Sequence, residues 1–262
     1  ENTVEWNGAN QTIVNPTGIG GGTGYYNLIL SGSGTKTMPG TALGVNGDFT
    51  LSGTATATAA SAFSVAGNLK IEDGAIFASG AFNHIVGGNF DNSGTFTTTS
   101  GTIIPLSSSS AQSILGTTAT SFEKLTINNS AGVNIYTDVT VNNTLTLTSG
   151  NLNVGATTLT LNGDAIKTSG FINVSTLSSL AFGGTTTFSP GVTLFPTPPN
   201  INNLTINRTG GVQLCCDFTI NGVLNLEEIL PIVDQILIDR GDLSREIAIE
   251  KIPFIQRRII SY

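Results

Sequence analysis

The sequence predicts an all-β chain, a right-handed parallel β-helix of stacked short strands, closed by a short α-helical tail. Three observations predict it. Alternating segments such as LTINN, VTVNN, LTLTS and TTLTLNG are separated by Gly, Asn and Ser turns, the pattern of short half-buried strands. A seven-residue word recurs as VNGDFTL at Val45, VAGNLKI at Val65, VGGNFDN at Val86, VNNTLTL at Val141, LNGDAIK at Leu161 and INGVLNL at Ile220. Three of its steps are about 20 residues and the other two nearly three times that, so the word marks a period near 20. Charged residues make up only 10% of the chain, against about 25% in an average soluble domain.

From the N-terminus, Glu1 is preceded by neither Met nor a signal peptide, which suggests a processed or excised form. GIGGGTGYYN (18–27) invites a nucleotide-loop interpretation, but position 23 is Thr and no helix pattern follows, so it is expected to be the loop entering the first full coil. YNLILSGSG (26–34) and LGVNGDFTL (43–51) form the first, loose copy of a longer repeat. Its clearest copies are KLTINNSAGVNIYTDVTVNNTLTL (124–147) and NLTINRTGGVQLCCDFTINGVLNL (203–226), which align without a gap. Three strands per turn, stacked on the next turn, give roughly eleven coils over residues 1–226 and a rod of roughly 50 Å. Stacking explains the composition. Equivalent residues of successive coils lie about 4.8 Å apart, where like charges repel, whereas Thr, Asn and Ser stack without that penalty. Asn and Gly are expected in left-handed corners between the strands.

The chemistry-bearing residues of the body are sparse. Its acids and bases are scattered along the sequence. Asp48 and Asp164 each follow Asn-Gly, and Glu72-Asp73-Gly74 is a turn signature, so each acid has a local explanation short of a carboxylate pair for sugar cleavage. His84 is the single histidine; with no triad or metal motif around it, it is expected to be a partly exposed strand or turn residue. Cys215 and Cys216 are adjacent, should point to opposite faces, and fit no zinc spacing. They read as packing residues. TATAT (54–58), TFTTT (95–99) and TTT (185–187) suggest flat Thr ladders of the kind that bind ice, yet the repeats do not keep the same two Thr positions from coil to coil. A net charge of −7 with no basic stripe argues against nucleic acid, and no apolar run reaches the roughly 20 residues of a membrane helix.

LTINNSAGVNIYTDVTVNNTLTLTSGNLNVGATTLTLNG (125–163) resembles the Asn/Thr/Gly-rich repeats of large secreted and surface-attached bacterial proteins. The resemblance covers most of residues 1–226. It implies an extracellular or cell-surface stalk, adhesin shaft or coat, with glycans or a host surface as partners, self-association as a further possibility, and no cofactor.

The tail, 227–262, is a different text. It holds 12 of the 27 charged residues and ten isoleucines. Ile229, Ile232, Val233, Ile236 and Leu237 have helical spacing, with Pro231 near the first turn; ILID could instead be a short buried strand. NLEEILPIVDQILIDRGDLSREIAIEKIPFIQRRII (225–260) resembles pyruvate kinase around the sixth strand of its (β/α)₈ barrel, through Arg240-Gly241-Asp242-Leu243, Glu250-Lys251-Ile252-Pro253 and Ile255-Gln256-Arg257-Arg258. Asp239 and Ser244 depart from the usual Ala and Gly. The resemblance implies that Asp242 binds a divalent metal beside phosphoenolpyruvate, that the backbone of Gly241 and Asp242 approaches the substrate carboxylate, and that Mg²⁺ and K⁺ are needed in a cytoplasmic setting. The Glu and Lys that complete that site upstream have no counterpart, because the corresponding stretch is DFTING (217–222), inside the repeats. A barrel needs eight strand–helix units over about 250 residues, and one carboxylate does not hold and use Mg²⁺ alone. The tail thus carries a signature without a site, either as a fusion, a mis-assembled gene or composite, or as the cap that a solenoid end requires.

The sequence therefore leads to a non-catalytic extracellular scaffold or adhesin shaft over residues 1–226. Pyruvate kinase-type phosphoryl transfer, expected inactive here, is the alternative. A carbohydrate-active or ice-binding β-helix is a further one.

Overall fold

The computed structural model describes residues 2–16, 24–99, 103–106, 108–189, 193–214 and 216–226. The tail 227–262, with its expected helix, Gly241 and Asp242, lies outside the described residues, and so does Cys215. Among the described residues every regular element is a strand. The strands pair in parallel and stack as a β-solenoid of about ten turns. Parallel neighbours need a crossover between them, and here each crossover is one circuit of the coil.

Each full circuit visits three faces. Face 1 is a nine-stranded sheet running from Thr3–Trp6 through Asn27–Leu30, Phe49–Leu51 and Leu69–Ile71 to Ile172–Asn173. Face 2 starts as the five strands Gln11–Thr12, Thr35–Thr37, Thr56–Thr58, Ile76–Ala78 and Thr95–Thr97. Face 3 starts as Leu43–Val45, Phe63–Val65, Ile85–Val86 and Ile103–Leu106. In the next two coils single long strands, Thr120–Asn128 and Val139–Ser149, round the corner between faces 2 and 3 at a register shift between Phe122 and Lys124. Their first halves carry face 2 on to Thr158–Leu161, Ser179–Gly184 and Leu204–Arg208.

The register gives the period directly. On face 1, Leu28, Phe49, Leu69, Phe90, Ile114, Ile135 and Val154 are consecutive partners, one per coil, with the longest step from Phe90 to Ile114 and the shortest from Ile135 to Val154. All seven are buried. Strict alternation makes this possible, since every second residue points inward. Inside, phenylalanines meet within and between coils: Phe49 meets Phe63 and Phe77 edge-on, each at 5.9 Å between ring centroids, and Phe90 meets Phe122 at 5.1 Å. Edge-to-face contacts of this kind fit the ring quadrupole.

The register also corrects how the recurring word is used. Val45, Val65 and Val86 share face 3, but Val141 and Leu161 share face 2. Likewise Leu125 pairs on face 3, whereas its repeat counterpart Leu204 pairs with Leu180 on face 2. The word is a corner with a strand on each side, and it serves more than one corner of the triangle.

At the left-handed corners, all described residues with positive φ are glycines, so the expectation that Asn shares these corners is overturned. Stacking is the reason. Gly53 has φ +64° and lies under Gly32, and a Cβ on it would come within 2.5 Å of the Gly32 carbonyl oxygen. Asn would tolerate the dihedral but not the contact.

Among the described residues two cations are fully buried, one in the first coils and one in the last. The Lys36 ammonium donates to the carbonyls of Gly8 and Ala9 and to Gln11 Oε1; burial pushes its pKa below the ordinary value. Arg208 donates to the carbonyls of Asn162, Gly183 and Thr186 and to Thr186 Oγ1. Burial lowers its pKa, with Asp164 at 3.8 Å opposing the shift. Both cations replace lost hydration with backbone carbonyls of neighbouring coils, the condition for burying a charge.

Candidate ligand-binding face

The outward side of face 1 carries two columns of side chains, built by the alternation that sends the intervening residues inward. In the first column Thr3, Asn27, Asp48, Asn68, Asn89, Ser113, Asn134, Asn153 and Asn173 succeed one another coil by coil. They are joined as a ladder. Asn27 Oδ1 accepts the Asp48 N–H at 2.9 Å. Asp48 Oδ1 accepts from Asn68 N–H at 2.7 Å and from its side-chain amide at 3.0 Å. Asn68 and Asn89 repeat the pattern toward Asn89 and Ser113, both at 2.8 Å. Further on the side chains bond each other, Asn153 to Asn134 at 3.0 Å and Asn173 to Asn153 at 2.8 Å. Each bond at a strand start satisfies an N–H at the corner, where the sheet ladder has not yet begun.

The second column reads Glu5, Ile29, Thr50, Lys70, Asp91 and Leu115. Lys70 bonds Glu72 at 2.9 Å. Glu72, and more weakly Asp91, hold its pKa above the ordinary lysine value. Between the columns lies a hollow of about 210 Å³ lined by Asp48, Thr50, Asn68, Lys70, Asn89, Asp91 and Leu115. One coil beyond Leu115 stands Tyr136, whose N–H continues the pairing by donating to Ile114 O at 2.9 Å. The residue is 65% exposed. The first column ends at Asn173, beside a second hollow of about 480 Å³ between residues 172–176 and the proline-rich loop 195–200.

The acids and bases that look scattered along the sequence are therefore partly gathered by the register: Asp48, Lys70, Glu72 and Asp91 come to one face. Asp48 follows the expected bend at Asn46-Gly47 and also serves the inter-coil ladder. Glu72-Asp73-Gly74 is the expected turn, with Ala75 N–H bonded to Glu72 O at 3.1 Å. Asp164 lies apart, 3.8 Å from buried Arg208. Among the described residues no group of three or more His, Cys, Asp or Glu could hold a metal ion.

His84 is fully buried, which corrects the expectation of a partly exposed residue. It occupies the inward position of Phe63 one coil on, and its ring stacks on Phe63 with centroids 3.9 Å apart. Nδ1 accepts the Phe63 N–H at 3.2 Å and Nε2 lies 2.6 Å from Ser79 O, so the ring is neutral with its proton on Nε2. Burial pushes its pKa below the ordinary value. It is a core residue, closed to chemistry with a ligand. Cys216 is half-buried against the core, as a packing residue should be.

The Thr pairs are not kept in every coil, as expected, but they align further than the sequence shows. On the outward side of face 2, Thr35/Thr37 pair with Thr56/Thr58, and Thr95/Thr97 follow in the same two columns, with Ile76/Ala78 between. The two positions are thus kept in three of four successive coils, which unaligned TATAT and TFTTT conceal. Thr185–Thr187 do not join them.

No family model, no curated protein and no solved structure matches the chain. The likenesses noted for the repeats and for the tail rest on the residues that carry them, and Gly241 and Asp242 lie outside the described residues.

Proposed function

We propose that residues 2–226 are a non-catalytic scaffold segment of a secreted or cell-surface repeat protein, a shaft that adheres to a polymeric surface through its polar faces. The observation that carries this is the outward column of face 1, unbroken from Thr3 to Asn173. Such a face presents a polar side chain, most often an Asn amide, about every 4.8 Å along the axis, which suits a periodic partner more than a small molecule. The acids on it are ladder members and ion-pair partners, and glycans or a host surface are the partners this favours, with no cofactor.

The test is co-sedimentation of the full chain with insoluble cellulose and chitin, with reducing ends assayed in the same tubes. Sedimentation without new reducing ends supports an adhesive shaft; reducing ends that grow with time overturn the non-catalytic assignment. For the tail, turnover above blank in a lactate-coupled assay with phosphoenolpyruvate, ADP, Mg²⁺ and K⁺ would establish the phosphotransferase instead. The Thr pairs of face 2 favour a second reading, ice binding, although Ile76 and Ala78 interrupt the array. Thermal hysteresis abolished by Thr56→Val would support it.

A further inference from the structure

We infer that the groove on face 1 from Asp48 to Tyr136 binds an extended, neutral polysaccharide chain lying parallel to the solenoid axis. The inference deepens the adhesive-shaft proposal and rests on it for the access of face 1 to a surface polymer.

Three features of the groove select this ligand. Its direction is the first: the hollow of about 210 Å³ is bounded by two columns that run on past it, coil after coil, so it is a segment of a track. A chain polymer extends along such a track, while a compact molecule fills one hollow.

The second is polar chemistry. Asn68 and Asn89 offer amides, Thr50 a hydroxyl, Asp48 and Asp91 carboxylate oxygens and Lys70 an ammonium, all from one face. Mixed donors and acceptors of this kind match hydroxyls, each of which both donates and accepts. The carboxylates Asp48, Glu72 and Asp91 outnumber the single ammonium of Lys70, and the whole chain carries −7. A polyuronate or sulfated chain would be repelled.

The third is Tyr136. It stands one coil past Leu115, in the same column, with 65% of its surface exposed. An exposed aromatic ring next to a polar track has an apolar face to offer and a hydroxyl in water. The C–H face of a pyranose ring is the complementary surface on a sugar chain. From Asp91 to Tyr136 is two coils, about 10 Å, so one chain spans polar groove and ring together.

The experiment is native affinity electrophoresis of the full chain in gels containing soluble mixed-linkage β-glucan, with polygalacturonate gels alongside and small-angle X-ray scattering on the same samples. The variants are Tyr136→Ala, Lys70→Ala and, on face 2, Thr56→Ala. Expected is retardation by β-glucan but not by polygalacturonate, weakened roughly tenfold or more by Tyr136→Ala, weakened by Lys70→Ala and unchanged by Thr56→Ala. Retardation that survives both face 1 substitutions, or that polygalacturonate produces equally, overturns the groove. A scattering curve of constant rod cross-section with no retardation overturns the groove and leaves the shaft standing; a curve that is not rod-like removes both.

Discussion

Gly53 shows how little freedom a single position has when its neighbour is its own copy one coil away. Its φ of +64° acts against alanine, and the 2.5 Å approach of Gly32 O to where a Cβ would stand acts against any side chain, because that backbone cannot move aside. Gly53→Ala should therefore lower stability by about 2 kcal/mol or more, measured by urea unfolding. His84 gives the second prediction at this scale. Its folded pKa is held below the ordinary value by burial, so the unfolded chain binds the proton first as pH falls. Stability should be full above the unfolded pKa of about 6.5 and decline as pH drops below it toward the folded pKa. Melting temperature followed from pH 8 to pH 5 should show this decline, and His84→Phe should remove that part of it while lowering stability at pH 8, because the Phe63 N–H loses its acceptor. No pattern in FNHIVGG distinguishes a buried histidine from an exposed one. What decides is that position 84 stacks on Phe63, a fact about register.

Between elements, the long register step from Phe90 to Ile114 breaks the regular spacing, and the coil there is repaired by buried amides. Gln112 donates to the carbonyls of Val86 and Gly88, and Asn129 donates to Ser110 O at 2.7 Å and Gln112 Oε1 at 2.8 Å. Removing either leaves buried carbonyls or an amide without partners, so Gln112→Leu and Asn129→Leu should each cost about 2 kcal/mol. Because they share one network, the double variant should cost clearly less than the two together; additive losses in a denaturation cycle would mean that the amides act independently. Strand existence in this region was legible from alternation alone. The face to which each strand belongs was not, since all three faces ask for the same inward-outward pattern and a corner word can be spelled once and used at any of them.

For the whole molecule, a solenoid's stability is close to a sum of coil and nearest-neighbour terms, so its ends should open first. Arg208 works against this at one end by tying Leu204–Arg208 to carbonyls at Asn162 and Gly183, two earlier coils. Hydrogen exchange should be slowest in the face 1 strands between Phe49 and Val154 and faster in Thr3–Trp6 and Leu224–Leu226. Arg208→Met should leave the middle unchanged and speed exchange in Ser179–Gly184 and Leu204–Arg208, at a cost of about 3 kcal/mol or more from the stranded carbonyls. Exchange that accelerates uniformly along the rod would show a cooperative unit in place of stacked coils.

The period near 20, the inward alternation and the avoidance of charge were determined by the sequence alone, because each is a property of one coil and its repetition, and repetition is visible in a string. The sequence also made Thr and Asn ladders predictable in kind, from the cost of stacking charge every few ångströms. Only the tertiary structure decided which residues meet. It set Lys70 against Asp91 of the next coil, put Tyr136 on the track of Leu115 and brought TFT over TKT and TAT. The physical reason is that lateral neighbours in a solenoid are fixed by coil length, and coil length on face 1 varies, from the long step between Phe90 and Ile114 to the short one between Ile135 and Val154. Loops absorb these differences while the strands keep their places on face 1, so a fixed spacing in the string does not say which residues meet, and the binding face exists only once the whole register is known.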